Sequence, residues 1–92
     1  MEATSRCIAY FSGFVQGVGF RYTVAGIARR YPITGFVRNL PDGRVHVVCE
    51  GGDGDLKQFL ADIADRMEPF IRDSQQDCRP ETGQFSLFEI RH

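Results

Sequence analysis

This chain has no long apolar run, no closely spaced cysteines and no dominant sign of charge. No segment approaches the roughly 18 consecutive apolar residues needed to cross a bilayer, and the N-terminal segment lacks the apolar stretch of an export signal. No membrane contact is expected, and the cytoplasm is the expected compartment. Net charge is −1 with acids and bases intermixed, so the basic field that nucleic-acid binding needs is absent. Cys7, Cys49 and Cys78 form no CxxC pair and two of them lie on apolar runs, so reduced thiols are expected rather than a disulfide framework. Repeats, linkers and low-complexity segments are missing too. At 92 residues and 42% hydrophobic, the chain reads as one domain, residues 1–92, built on a single core.

The most informative stretch present is Gly13-Phe14-Val15-Gln16-Gly17-Val18-Gly19-Phe20-Arg21. It lies between a strand-like run and a helix-like run. Glycines at 13, 17 and 19 let the backbone turn the NH groups of Val15, Gln16, Gly17, Val18, Gly19 and Phe20 toward one point, which makes an anion cradle. Arg21 adds a planar, permanently charged fork suited to phosphate oxygens.

Residues 7 to 11 are rich in β-formers and predict a first strand. From Phe20, the apolar residues Val24, Ile27, Ala28 and Tyr31 recur at helical spacing until Pro32 stops them. Gly26 interrupts this helix and reads as a point of close packing on the sheet. A second strand over Gly35 to Asn39 leads through Leu40-Pro41-Asp42-Gly43, a turn sequence, into a third in which Val45, Val47 and Cys49 alternate with Arg44, His46 and Glu50. Leu56, Phe59, Leu60, Ile63 and Met67 form the stripe of a second helix, capped by Asp53 or by an Asp55–Gln58 capping box and ended near Pro69. Residues 72 to 78 are polar and only weakly strand-like, whereas Phe85 to Ile90 predicts a final strand.

Strand, helix, strand, strand, helix, strand is the order of an α+β sandwich with two helices on one face of an antiparallel sheet, the split βαβ arrangement. Its first and second strands run the same way with the third between them. Arg21 and Asn39 then share one end of the sheet, two strand spacings or about 10 Å apart at the backbone. An anion in the cradle would receive NH bonds, the favourable end of the first helix dipole and the Arg21 guanidinium. Asn39 carries both a donor and an acceptor and can hold a water beside a bound phosphoryl group. Neither motif holds a side-chain nucleophile or strong base, which favours direct attack of water on phosphorus with a good leaving group such as a carboxylate.

These motifs resemble the acylphosphatase family. Its signature G-x-V-Q-G-V-x-F-R stands at residues 13 to 21, and its second signature, G-F-V-R-N-x-x-D-G-x-V, stands at Gly35 to Val45. The run Phe85 to His92 is similar to the closing strand of the family, with His92 where a tyrosine often stands. The resemblance implies a ferredoxin-like fold and hydrolysis of acyl phosphates, with no metal and no cofactor. It implies that Arg21 and loop NH groups bind phosphate while Asn39 orients the water. Tyr22 follows Arg21 where the related domain of hydrogenase-maturation carbamoyl transferases typically has proline, which together with the short chain favours a free-standing enzyme. The expected partner is a small-molecule acyl phosphate, with no nucleic acid, and the chain is taken as a monomer.

Plainer readings of other residues stand beside this one. Arg38, next to Asn39 on a strand, points to the opposite face and reads as a solvated charge. His46 and His92 are assigned surface roles, and Cys7 and Cys49 read as small core residues. No lysine follows the glycines as in nucleotide-binding loops. Tyr10, Val48 and Glu50 face outward, yet the aromatic signature of an RNA-binding sheet is lacking. A non-enzymatic phosphate or phospho-metabolite binding module is the alternative function.

Overall fold

The computed structural model describes residues 3–92. Strand β1 (Thr4–Gly13) runs through the glycine loop into α1 (Phe20–Ala28), and β2 (Thr34–Asn39) and β3 (Val45–Gly52) form a hairpin. Helix α2 (Asp53–Arg66) and a single 3₁₀ turn, Glu68–Phe70, lead to β4 (Ile71–Arg79), and β5 (Phe88–Arg91) comes last. The strands lie in the order β4-β1-β3-β2-β5. β1 is antiparallel to both β3 and β4, β3 is antiparallel to β2, and β5 joins β2 in parallel. This is the expected ferredoxin-like α+β architecture, with one addition: the sheet is mixed, because the polar run after α2 is itself a strand and the chain then travels to the free edge of β2.

One face of the sheet carries both helices. Phe20, Val24, Ile27 and Ala28 of α1 and Leu56, Phe59, Leu60 and Ile63 of α2 are buried in one cluster with Cys7, Ala9, Phe11, Val37, Val45, Val47 and Cys49 from the strands. These strand residues alternate along each strand, as a half-buried sheet requires. Each large side chain so buried contributes about 1.5–3 kcal/mol.

The opposite face is closed by residues 80–87. Glu50 is only 1% exposed. Its carboxylate accepts from the Thr82 amide (3.0 Å) and hydroxyl (2.6 Å) and from the Gly83 amide (2.9 Å), with Arg6 Nε at 3.6 Å. Burial pushes this carboxyl up, but the Thr82, Gly83 and Arg6 groups outweigh burial and the net direction is down. Phe85 packs on the ring of Phe36 with centroids 5.8 Å apart and on the Arg6 guanidinium at 5.3 Å. Phe85 therefore belongs to this strap, and the last strand starts three residues later than predicted.

Other expectations also change. The Asp55–Gln58 capping box does not form, since α2 starts at Asp53 with Gly52 as N-cap and no side-chain cap bond. Gln58 donates instead to Asp62 one turn along, at 3.0 Å. Asp53 and Asp55 remain in the first turn, where the helix dipole favours them. Gly26 is exposed rather than packed on the sheet, and a Cβ built there meets nothing within 4 Å. The cysteines differ most: Cys7 and Cys78 are disulfide-bonded, not reduced. The β1–β4 register sets Cys7 opposite Cys78, while Cys49 lies opposite Cys7 on the other side as a buried free thiol.

Two stability outcomes follow. Because Gly26 is a helical position with open space beside it, Gly26→Ala should stabilise the fold by about 0.5–1 kcal/mol, read as a higher urea midpoint at unchanged slope. The Cys7–Cys78 bond spans 71 positions. A loop of that size restrains the unfolded chain by about 4 kcal/mol. Reductant and Cys78→Ser should lower the urea midpoint to a common value; an oxidised parent no more stable than Cys78→Ser would show that the bond contributes nothing.

Candidate active site

The site is assembled from three chain segments at one end of the sheet. Phe11, Val45 and Asn39 form a single row across β1, β3 and β2. The glycine loop therefore leaves β1 two residues beyond the level of Asn39. At the base of the loop, the Phe14 amide donates to Phe70 O at 2.9 Å, and Val15 is wholly buried in the core. Gln16 then spans to the hairpin: its Nε2 donates to Leu40 O at 2.8 Å and to Arg44 O at 3.0 Å. Both carbonyls flank the turn that follows Asn39.

Gly17 and Gly19 adopt left-handed conformations, φ 79° and 76°. A side chain at either would strain the turn, so the glycines at these positions are a backbone requirement. Gly19 is the N-cap of α1, which has no side-chain cap bond and no acid in its first turn. Among the described residues, the amides of Val15 to Gly19 donate to no backbone carbonyl. The loop thus presents free NH groups at the positive end of a helix dipole.

Arg21 lies one residue into α1. Its Nη1 donates to Arg91 O at 3.4 Å and lies 3.2 Å from His92 Nδ1. Among the described residues no carboxylate pairs with this guanidinium. Arg91 is level with Arg38 in the β2–β5 register, so the end of β5 holds Arg21 at the same end of the sheet as Asn39. Asn39 shares its sheet face with Val37, toward the helices, and its Oδ1 is buried with no hydrogen-bond partner among the described residues. An amide oxygen in that condition leaves an acceptor free for a small polar ligand. Arg21, Asn39 and the loop amides accordingly lie at the same end of the sheet.

Other candidates lie elsewhere. Arg38 does point to the opposite face, where its Nε donates to His46 Nδ1 at 3.1 Å. His46 is not a surface residue: it is 8% exposed, stacked on Tyr10 at 4.7 Å and edge-on to Phe36 at 5.5 Å. Burial, then the charges of Arg38, Arg44 and Arg6, hold its pKa below the ordinary histidine value, so the ring is neutral. The Cys49 thiol, pushed up to about 12 by burial, is no nucleophile. Among the described residues no group of three or more His, Cys, Asp or Glu is gathered to hold a metal ion, and no helix is long and apolar enough to cross a membrane.

Two side chains at the site were not legible as such. The loop sequence suggested the backbone NH of Gln16, and only the folded hairpin reveals its carboxamide as a latch. His92 was assigned a surface role, and it is exposed, yet it meets Arg21 because the parallel pairing of β5 carries it there.

Known proteins place this arrangement. The acylphosphatase family model matches residues 7–90. The chain is 43% identical over 81 residues to an acylphosphatase of Methanospirillum hungatei, covering 87% of this chain and 89% of that one. It is 50% identical over 54 residues to an acylphosphatase of Archaeoglobus fulgidus, a stretch spanning 59% of this chain and 61% of that relative. The crystal structure of acylphosphatase from Bacillus subtilis superposes with a TM-score of 0.86 at 27% identity, over 96% of this chain and 99% of that one. On this evidence the chain belongs to the acylphosphatase family of enzymes.

Proposed function

We propose that the chain hydrolyses acyl phosphates to a carboxylate and inorganic phosphate by direct attack of water. Arg21 and the backbone NH groups of Val15, Gln16, Gly17, Val18, Gly19 and Phe20 hold the phosphoryl oxygens. Asn39 places the water. The observation that supports this reading is the unpartnered Oδ1 of Asn39, buried at the end of the sheet that also carries Arg21 and the free loop amides.

A water donating to that oxygen keeps a lone pair free, and with the phosphoryl group fixed in the cradle the lone pair faces phosphorus. The P–O bond to the acyl group breaks as the new one forms, and charge on the equatorial oxygens is met by donors that need not reorganise. The leaving carboxylate is stable unprotonated, so no general acid is required; the water's protons pass to the phosphate product and solvent. No step uses a metal, a cofactor or a covalent enzyme intermediate. The domain is further proposed to act as a monomer on a small molecule. A cytoplasmic location was read partly from free thiols, and the Cys7–Cys78 bond removes that support.

Arg21→Gln should lower kcat/KM for benzoyl phosphate by about 10³-fold and abolish competitive inhibition by inorganic phosphate. Asn39→Ala should lower kcat by about 10²–10³-fold while phosphate inhibition persists. Parent-like turnover by Asn39→Ala would remove the water-positioning role. In a second assay, excess chelator should leave turnover of several acyl phosphates intact while phosphate monoesters stay inert. Loss of activity with chelator, or equal turnover of monoesters, would overturn the mechanism.

A further inference from the structure

The contact between Arg21 and His92 has a defined polarity. A guanidinium has donors and no acceptor, so Arg21 Nη1 must donate to His92 Nδ1 at 3.2 Å, and that nitrogen must carry a lone pair. Nη1 also donates to Arg91 O, which leaves Nε and Nη2 of the fork for a ligand. Held at Nη1, the guanidinium does not have to be ordered by the ligand.

We infer that His92 is a positioning residue for Arg21, and that loss of its ring acceptor loosens the arginine and weakens the grip on the phosphoryl group. This rests on the reading of Arg21 as the phosphate ligand. The charged groups around His92 leave this contact undisturbed. Arg21 faces the ring from α1. From β2, Arg38 is turned to the other face of the sheet, where it bonds His46. On β5 itself, Arg91 Nε is held by Glu89 at 3.2 Å and its guanidinium lies over Phe36 at 4.0 Å. Among the described residues no acidic side chain pairs with Arg21 or with the His92 ring, so no ion pair competes with the contact.

The test compares the parent, His92→Asn and His92→Leu in benzoyl phosphate hydrolysis at one pH, with thermal melts confirming that all three are folded. Asparagine keeps an acceptor near the position of Nδ1; leucine removes it. His92→Leu should raise KM about three- to tenfold with a smaller change in kcat, and His92→Asn should regain most of that loss. Identical KM values for all three proteins would overturn the role of His92 if Arg21→Gln is inactive in the same assay. An active Arg21→Gln would instead remove the reading of Arg21, and this inference with it.

Discussion

The site depends on one row of the sheet. Val45 of β3 pairs with Phe11 on one side and Asn39 on the other, and because β3 is antiparallel to both neighbours, β1 and β2 must end at the same level. A shift of one residue in either pairing would turn Asn39 to the outer face and put Arg38 in its place. The register is protected by burial: Val37, Val45 and Val47 are all fully enclosed on the helix side, and a slip would expose them together. The position of a single carboxamide is thus secured by apolar packing along two strand pairs, which is stronger than any bond the carboxamide makes itself.

Two smaller links convert a shared level into a shared site. The Gln16 latch joins the middle of the loop to both sides of the β2–β3 turn, and the end of β5 joins Arg21 to the far side of β2. Strand β5 is only four residues long, and its placement depends on the strap before it. That strap is fastened by Glu50, on the face of the sheet away from the helices. The buried Glu50 carboxylate on one face and the Arg21 guanidinium at the end of the sheet are therefore connected through about ten residues of chain. Thr82 and Gly83 hold the strap down, Phe85 packs it on Phe36, and Arg91 and His92 meet Arg21.

What could be read from the sequence was whatever local chemistry determines. The stripes of α1 and α2, the alternation of β3 and the turn after Leu40 all express burial or backbone preference within a few residues, and each is present in the fold. The cradle and Asn39 belong to the same class, since glycines at 17 and 19 specify a backbone shape and a short hairpin specifies a level. Long-range pairing was less visible. Residues 71–79 form a nine-residue strand with almost no buried side chain, so no apolar pattern announced it. Its partner and register were equally hidden, which is why Cys78 could not be matched with Cys7. Phe85 looked like a strand residue because aromatic residues favour strands, yet the same apolar surface serves as well to press a strap on Phe36. His92 lies beyond any periodic pattern, and only the parallel pairing of β5 brings it to Arg21.

The same geometry explains why a chain this small can present a charged site without a deep cavity. The loop is anchored from beneath by Val15, yet Gly17, Val18 and Gly19 above it are exposed, and Phe14 at its rim is 73% exposed. In the proposed reaction every fixed donor addresses the phosphoryl group, and nothing need enclose the acyl group, which departs as a stable anion. Rigidity is then required only of the backbone loop, one guanidinium and one carboxamide. The first is fixed by Val15 and Gln16, the second by the end of β5, and the third by the Phe11–Val45–Asn39 row. Each of the three is held from a different part of the sheet, so the acyl side is left free to vary while the phosphoryl side is not.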